Sequence, residues 1–150
     1  MTSIKNVVKR MSKEVRVIDI ARKNVVTCKP DARLPDVAKL MLDHWIGSVI
    51  VVNDKQEPIG FVTDGIIFML IAKGRNPSIL LARDVMVKPV QTVHQDTNAS
   101  EISDDQFLRS KVHRLAVVND EGKLVGVLSR KVVDRLTTYS VARRIIEDRG

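Results

Sequence analysis

SVIVVNDKQEPIGFVTDGII, residues 48–67, and RLAVVNDEGKLVGVLSRKVV, residues 114–133, are one twenty-residue device written twice at a constant offset of 66. Val49-Ile50-Val51-Val52 and Leu115-Ala116-Val117-Val118 are too apolar to leave one face in water, so they read as buried strands. Asn53-Asp54 in the first copy, and Asn119-Asp120 with Gly122 in the second, supply residues that tolerate the positive φ of a tight hairpin. A second apolar strand then opens on Gly60 or Gly126 and ends at Thr63 or Ser129, where a helical pattern begins. A hydroxyl at that point can accept from the free N–H groups of the first helical turn, and a helix start at a strand end can also hold an anion.

The duplication extends upstream. VRVIDIARKNVVTCKP, an extended lead-in and a short strand stopped by Pro30, returns as DVMVKPVQTVHQ, so that Asp19 matches Asp84, Val25 matches Val90 and Thr27 matches Thr92. Here the offset is 65, and it becomes 66 inside the helix that follows. One extra residue must be absorbed there, and Ser103 to Gln106 is the expected place, as a bulge, loosened turn or break. In the first copy Leu34 to Ile46 has Pro35 in its first turn and an apolar stripe of Val37, Leu40, Met41 and Ile46, with His44 as a cap-side or surface residue. In the second, Asn98 and Glu101 have the spacing of a capping box.

The organisation that follows is an N-terminal helix within 1–15, a first repeat over 16–74, a linker over 75–83, a second repeat over 84–136 and a C-terminal helix over 137–150. Ile4, Val7, Val8 and Met11 give the first helix its apolar side; Val141, Ile145 and Ile146 give the last one its own.

Composition narrows the function. A chain of 150 residues with 44% hydrophobic residues, seven Gly and five Pro is globular. No apolar run approaches the roughly 20 residues that cross a bilayer, and no signal-peptide core opens the chain, so a soluble cytoplasmic protein without membrane contact is expected. Cys28 is single and sits in an apolar run, which makes it a buried structural thiol; no Cys/His cluster has metal-ligand spacing. No nucleophile with a paired base is evident, so the chain is not expected to be an enzyme. Net charge is +7, with seven basic residues against Glu14 and Asp19 in the first 24. Such a balance suits nucleic acid or phosphorylated small molecules, but aromatic stacking platforms interleaved with basic residues are missing. A basic nucleic-acid-binding protein is therefore the alternative function.

Together these motifs resemble a tandem pair of CBS domains, the Bateman module, over roughly residues 16–136. The resemblance implies an α+β fold in which two β-α-β-β-α repeats pack sheet to sheet with pseudo-twofold symmetry, leaving two clefts. It implies a stand-alone regulatory module whose clefts take an adenosine compound such as AMP, ADP, ATP or S-adenosylmethionine. No cofactor is required; a homodimer and an unknown regulated protein are the expected partners.

Site residues carry over one by one. The family's strand Thr corresponds to Thr27 and Thr92, and its Gly-apolar-apolar-Ser/Thr element to Gly60 with Thr63 and Gly126 with Ser129. The Asp that binds ribose in the family is replaced by Ile66 and Val132, which implies weak discrimination among ribose-bearing nucleotides. Val112-His113-Arg114-Leu115 resembles the segment of the AMP-sensing kinase γ subunit whose His and Arg meet phosphate. Beside Ser129 stand Arg130 and Lys131, whereas beside Thr63 stand Asp64 and Gly65. A phosphorylated ligand is therefore expected to prefer the cleft of Ser129, with Thr92 close by.

Overall fold

The computed structural model describes residues 15–149, so the helix expected within the first fifteen residues lies outside the described residues, apart from Val15, which is not in a helix. In chain order the elements are α1 (Val17–Ile20), β1 (Thr27–Cys28), α2 (Leu34–His44), β2 (Ser48–Val52), β3 (Pro58–Thr63), α3 (Asp64–Ala72), a 3-10 turn (Pro77–Ile79) and α4 (Ala82–Val85). Then come β4 (Thr92–His94), a 3-10 turn (Ala99–Glu101), α5 (Asp104–Arg109), β5 (Arg114–Val118), β6 (Leu124–Ser129) and α6 (Arg130–Arg149). The β-α-β-β-α order is present twice. Among the described residues no helix is long and apolar enough to cross a membrane.

Two compact units form. One holds Asn24–Val90 and Asp120–Leu124; the other holds, among the described residues, 15–23, Gln91–Asn119 and 125–149. Each has a three-stranded sheet, ordered β1-β2-β3 in the first and β4-β5-β6 in the second, with the outer pair parallel and the hairpin antiparallel in the first sheet. The central strands are the apolar runs read from sequence: Val49–Val52 and Leu115–Val117 are all buried. In the first unit they pack against Leu34, Val37 and Met41 of α2, and in the second against Val17, Phe107 and Leu128. At roughly 1.5 to 3 kcal/mol per fully buried large aliphatic or aromatic side chain, these clusters are the main source of each unit's stability.

The units cut the chain differently from the sequence repeats, because the lead-ins are exchanged. The lead-in of the first repeat docks in the second unit: Val17 N donates to Thr97 O at 2.8 Å, and Arg22 bridges Val127. The lead-in of the second repeat docks in the first unit, where Ala82 N donates to Ala32 O at 2.8 Å and Val87 bridges Phe61. The glycines record this crossing. A Cβ on Gly60 would lie 2.5 Å from Met86 Sδ, and one on Gly126 would lie 3.1 Å from Ala21 Cβ.

Several local expectations need correction. The lead-in is not extended: residues 17–20 and 82–85 each form a single helical turn, and the matched acids explain why. Asp19 Oδ2 accepts from Arg16 N at 3.0 Å and Asp84 Oδ2 from Leu81 N at 2.8 Å, so each caps its own turn. In the first hairpin the positive φ falls on Gln56 (64°), not on Asn53 or Asp54. Asn53 works through its side chain, its Oδ1 accepting from Lys55 N at 3.0 Å and Glu57 N at 2.9 Å. The capping box is not at Asn98. It lies at Ser103, whose N–H donates to Gln106 Oε1 at 2.8 Å, while at Ala99–Glu101 only a 3-10 turn forms, with no side-chain cap from Asn98. The expected break exists, with Ile102 and Ser103 extended, just ahead of the position inferred. At the end of the chain a single helix starts at Arg130 rather than a separate one at residue 137, and Ile145 and Ile146 on it are exposed.

Candidate functional site

Each sheet has one end where a strand becomes a helix, and the candidate residues gather there. In the first unit β2 starts and β3 ends at this point, with Ser48 paired to Thr63; Thr27 pairs with Ile50 two residues further along. Thr63 caps α3 as expected, its Oγ1 accepting from Ile66 N at 3.2 Å. Asp64 N donates to Gly47 O at 3.0 Å, and Asp64 Oδ1 accepts from Gly65 N at 2.8 Å. Its Oδ2 lies 3.2 Å from where a Cβ on Gly47 would stand, a tight approach that a small shift of the carboxylate would relieve. The helix start is thus occupied by the chain's own anion, which stabilises it and opposes a second one.

In the second unit β5 starts at Arg114 and β6 ends at Ser129, so the hairpin brings these two to the same end of the sheet. Exposed Thr92, paired with Ala116, opens the parallel neighbour β4 at that end too. Ser129 Oγ accepts from Val132 N at 3.4 Å, repeating the cap of Thr63. The residues that replace the family's acid, Ile66 and Val132, turn to the two cores and offer no acceptor.

The cations of this end are not equivalent. Arg114 folds back, donating from Nη1 to Val112 O at 3.2 Å. Arg130 Nη2 stands 3.5 Å from Asp104 Oδ1, with 41% and 72% of the two side chains exposed. Lys131 and His113 are exposed, and His113 has a φ of 54°. Three groups that sequence reading missed shape the site. Ser110, buried, donates from Oγ to Arg114 O at 2.6 Å and so pins the loop before β5; its counterpart at an offset of 66 is His44, so no repeat signal marks it. Asp104 pairs with Arg130 across the fold. Gly47 accepts from Asp64 N through its carbonyl oxygen at 3.0 Å.

Two other features belong to the first unit. A groove of about 310 Å³ between α2 and α3 is lined by Met41, Leu42, Trp45, Ile46, Ile67 and Phe68 among others. At the hairpin end a polar pocket of about 400 Å³ holds Lys29, whose Nζ donates to Asn53 O at 3.1 Å. Next to Thr27, burial pushes the Cys28 thiol up to about 11, so it stays protonated and unreactive near neutral pH.

Comparison with known proteins bears on these two sheet ends. The CBS domain family model matches residues 17–73 and 82–136. An uncharacterised protein of Methanopyrus kandleri is 35% identical over 131 residues, which is 87% of this chain and 66% of that protein, so the chain spans just under two thirds of its relative. Among solved structures, the CBS-pair protein CBSX2 of Arabidopsis thaliana in complex with AMP is similar at 25% identity, with a TM-score of 0.65 over 83% of this chain and 96% of that one. The CBS domain pair of protein MJ0100, in complex with 5-methylthioadenosine and S-adenosyl-L-methionine, shares the fold at 21% identity, with a TM-score of 0.69 over 81% of this chain and 94% of that one.

Proposed function

The chain belongs to the CBS domain family, and from that premise we propose that it is a regulatory module sensing an adenosine-containing nucleotide. The observation that carries the reading is the gathering of Thr92, Arg114, Ser129, Arg130 and Lys131 at the end of one sheet, around a hydroxyl-capped helix start. A helix N-terminus flanked by guanidinium and ammonium groups suits a phosphate. The AMP and S-adenosylmethionine complexes of the two similar structures support the adenosine moiety. A phosphorylated ligand takes the end lined by Ser129, since the corresponding place in the first unit is filled by Asp64. With Ile66 and Val132 where ribose would be held by an acid, the module separates AMP from other ribose nucleotides weakly. The chain binds and reports rather than catalyses, and a partner protein reads the bound state.

The module works as a homodimer. Leu42, Trp45, Phe68 and Ile71 are 73%, 93%, 65% and 58% exposed around the groove between α2 and α3, an apolar surface larger than single scattered residues would make. A closed twofold contact is the default way to cover such a face.

The decisive experiment is calorimetry with AMP and adenosine on the wild type and on the double variant Arg130→Ala/Lys131→Ala. Charge-assisted bonds contribute about 1.5 to 3 kcal/mol each, so AMP should weaken tenfold or more while adenosine is nearly unchanged. Equal losses for both ligands would overturn the assignment. Tight binding of short DNA that collapses with salt, in place of AMP binding, would favour the nucleic-acid function instead.

A further inference from the structure

Arg130 and Asp64 hold the same position in the two repeats, 66 residues apart. In the first repeat the carboxylate at the helix start is that of Asp64 itself. In the second the residue at that place is Arg130, and a carboxylate reaches its guanidinium from elsewhere, from Asp104, whose placement follows the broken helix. The extended Ile102 and Ser103 end the 3-10 turn, Gln106 caps Ser103 N at 2.8 Å, and Asp104 becomes the first residue of α5. From there its Oδ1 reaches to 3.5 Å from Arg130 Nη2. The first repeat, with its unbroken α2, has Ala38 and Lys39 at the corresponding places and no carboxylate to offer.

We infer that Asp104 is a specificity-setting residue of this site, an internal anion that competes with a ligand's phosphate for Arg130. The inference rests on the reading of this end of the sheet as a nucleotide site. A phosphate monoester carries up to two charges and three acceptor oxygens, whereas Asp104 offers one charge through one contact at 3.5 Å, so the ligand displaces it. Adenosine has nothing to exchange for the carboxylate and leaves the pair standing. The inserted residue in the second repeat therefore lowers the affinity for phosphorylated ligands to a working level without touching the nucleoside.

The neighbouring acid provides the control. Asp105 lies in the same helical turn with the same charge, but its Oδ2 is engaged by Arg109 Nη2 at 2.8 Å. Calorimetry with AMP and with adenosine on the wild type, Asp104→Asn and Asp105→Asn tests the inference, with thermal midpoints confirming that all three are folded. Asp104→Asn should tighten AMP about three- to fivefold, the equivalent of about 0.6 to 1 kcal/mol for an exposed ion pair, and leave adenosine unchanged. Asp105→Asn should change neither. Equal tightening of AMP by both variants would show a diffuse charge effect and overturn the inference. AMP binding that Asp104→Asn leaves alone or weakens would refute it while the nucleotide reading stands; no AMP binding by any of the three would refute both.

Discussion

Gly60→Ala is the sharpest perturbation the fold offers, because the new methyl would meet one residue from three directions. A Cβ there would lie 2.5 Å from Met86 Sδ, 2.7 Å from its Cγ and 2.8 Å from its Cβ. The sulfur and Cγ can swing aside, but the Cβ is fixed to the backbone after α4, so relief requires that the turn retreat from β3. Overpacking of this kind costs about 1 to 3 kcal/mol, and the upper half of that range applies where backbone must move. Against it, replacing glycine restricts the unfolded chain and returns about 0.4 to 1 kcal/mol. The net loss is about 1.5 to 2 kcal/mol, which for a chain of this size lowers the thermal midpoint by about 3 to 8 °C. Gly126→Ala meets Ala21 Cβ at 3.1 Å and Arg22 O at 3.2 Å, contacts that a few tenths of an ångström relieve, so its cost of about 1 kcal/mol is largely offset. Urea unfolding of both variants measures the difference. Adding Gly60→Ala in a Met86→Ala background should still cost about 1 kcal/mol, because the 2.8 Å contact survives. If Gly126→Ala costs as much as Gly60→Ala, or Met86→Ala abolishes the cost, the crossing of lead-in over strand is not what excludes a side chain.

Further outcomes follow from single groups. Asp84→Ala removes the acceptor of Leu81 N and should cost about 1 kcal/mol in urea unfolding. The Arg16 backbone N–H and guanidinium hold the Asp19 carboxyl below its ordinary 3.8; its contribution is present above that pH and is lost as pH falls through the lower folded value. Asp19→Asn should accordingly flatten the acid limb of a stability profile below about pH 4. Cys28 titrates at about 11 in the fold against 9.0 when free, so its contribution is intact below pH 9 and falls away between about 9 and 11; Cys28→Ala should remove that slope. Phe68→Asp with Ile71→Asp should give a monomer by light scattering at tens of micromolar where the wild type gives a dimer, and the emission of Trp45, the sole tryptophan, should shift to the red with it.

Much of the fold was legible because it is written twice. Two apolar runs and two hydroxyl caps in register made strands and helix starts readable from sequence, and these are found where expected; the second strands, read as opening on Gly60 and Gly126, begin two residues earlier at Pro58 and Leu124, and the close approaches at the glycines were not read. The lead-in turns were not, since four residues are too few to show a helical period and Val17-Ile18 carries strand-like composition. The signal was present all the same in the matched acids Asp19 and Asp84, each three residues after the backbone N–H it caps. At the broken helix two segments fit the capping pattern, Asn98 to Glu101 and Ser103 to Gln106. Only the second opens an α-helix; the first stops at a 3-10 turn, and the pattern alone did not separate them. The pairing of Asp104 with Arg130 was beyond reach, as it joins the start of one helix to the start of another across a strand hairpin, and nothing in the first repeat foreshadows it.

That asymmetry separates the two sheet ends. A duplication gives two equivalent sheet ends, each with a capped helix and a strand threonine, and equivalence alone would make two equal sites. The cap must remain a hydroxyl in both, because it holds the helix start; the next residue is free to vary, and there the repeats part into Asp64 and Arg130. An acid bonded to the N–H of Gly65 completes the first helix start from within the chain. An arginine at the second leaves the helix dipole unanswered and adds like charge to it, which costs stability unless an anion is supplied. Asp104 offsets the arginine's charge, not the dipole, through a single exposed contact, weak enough to be exchanged. The first end is thereby finished as structure, and the second has its arginine held by one exchangeable contact, which is what the proposed phosphate site requires.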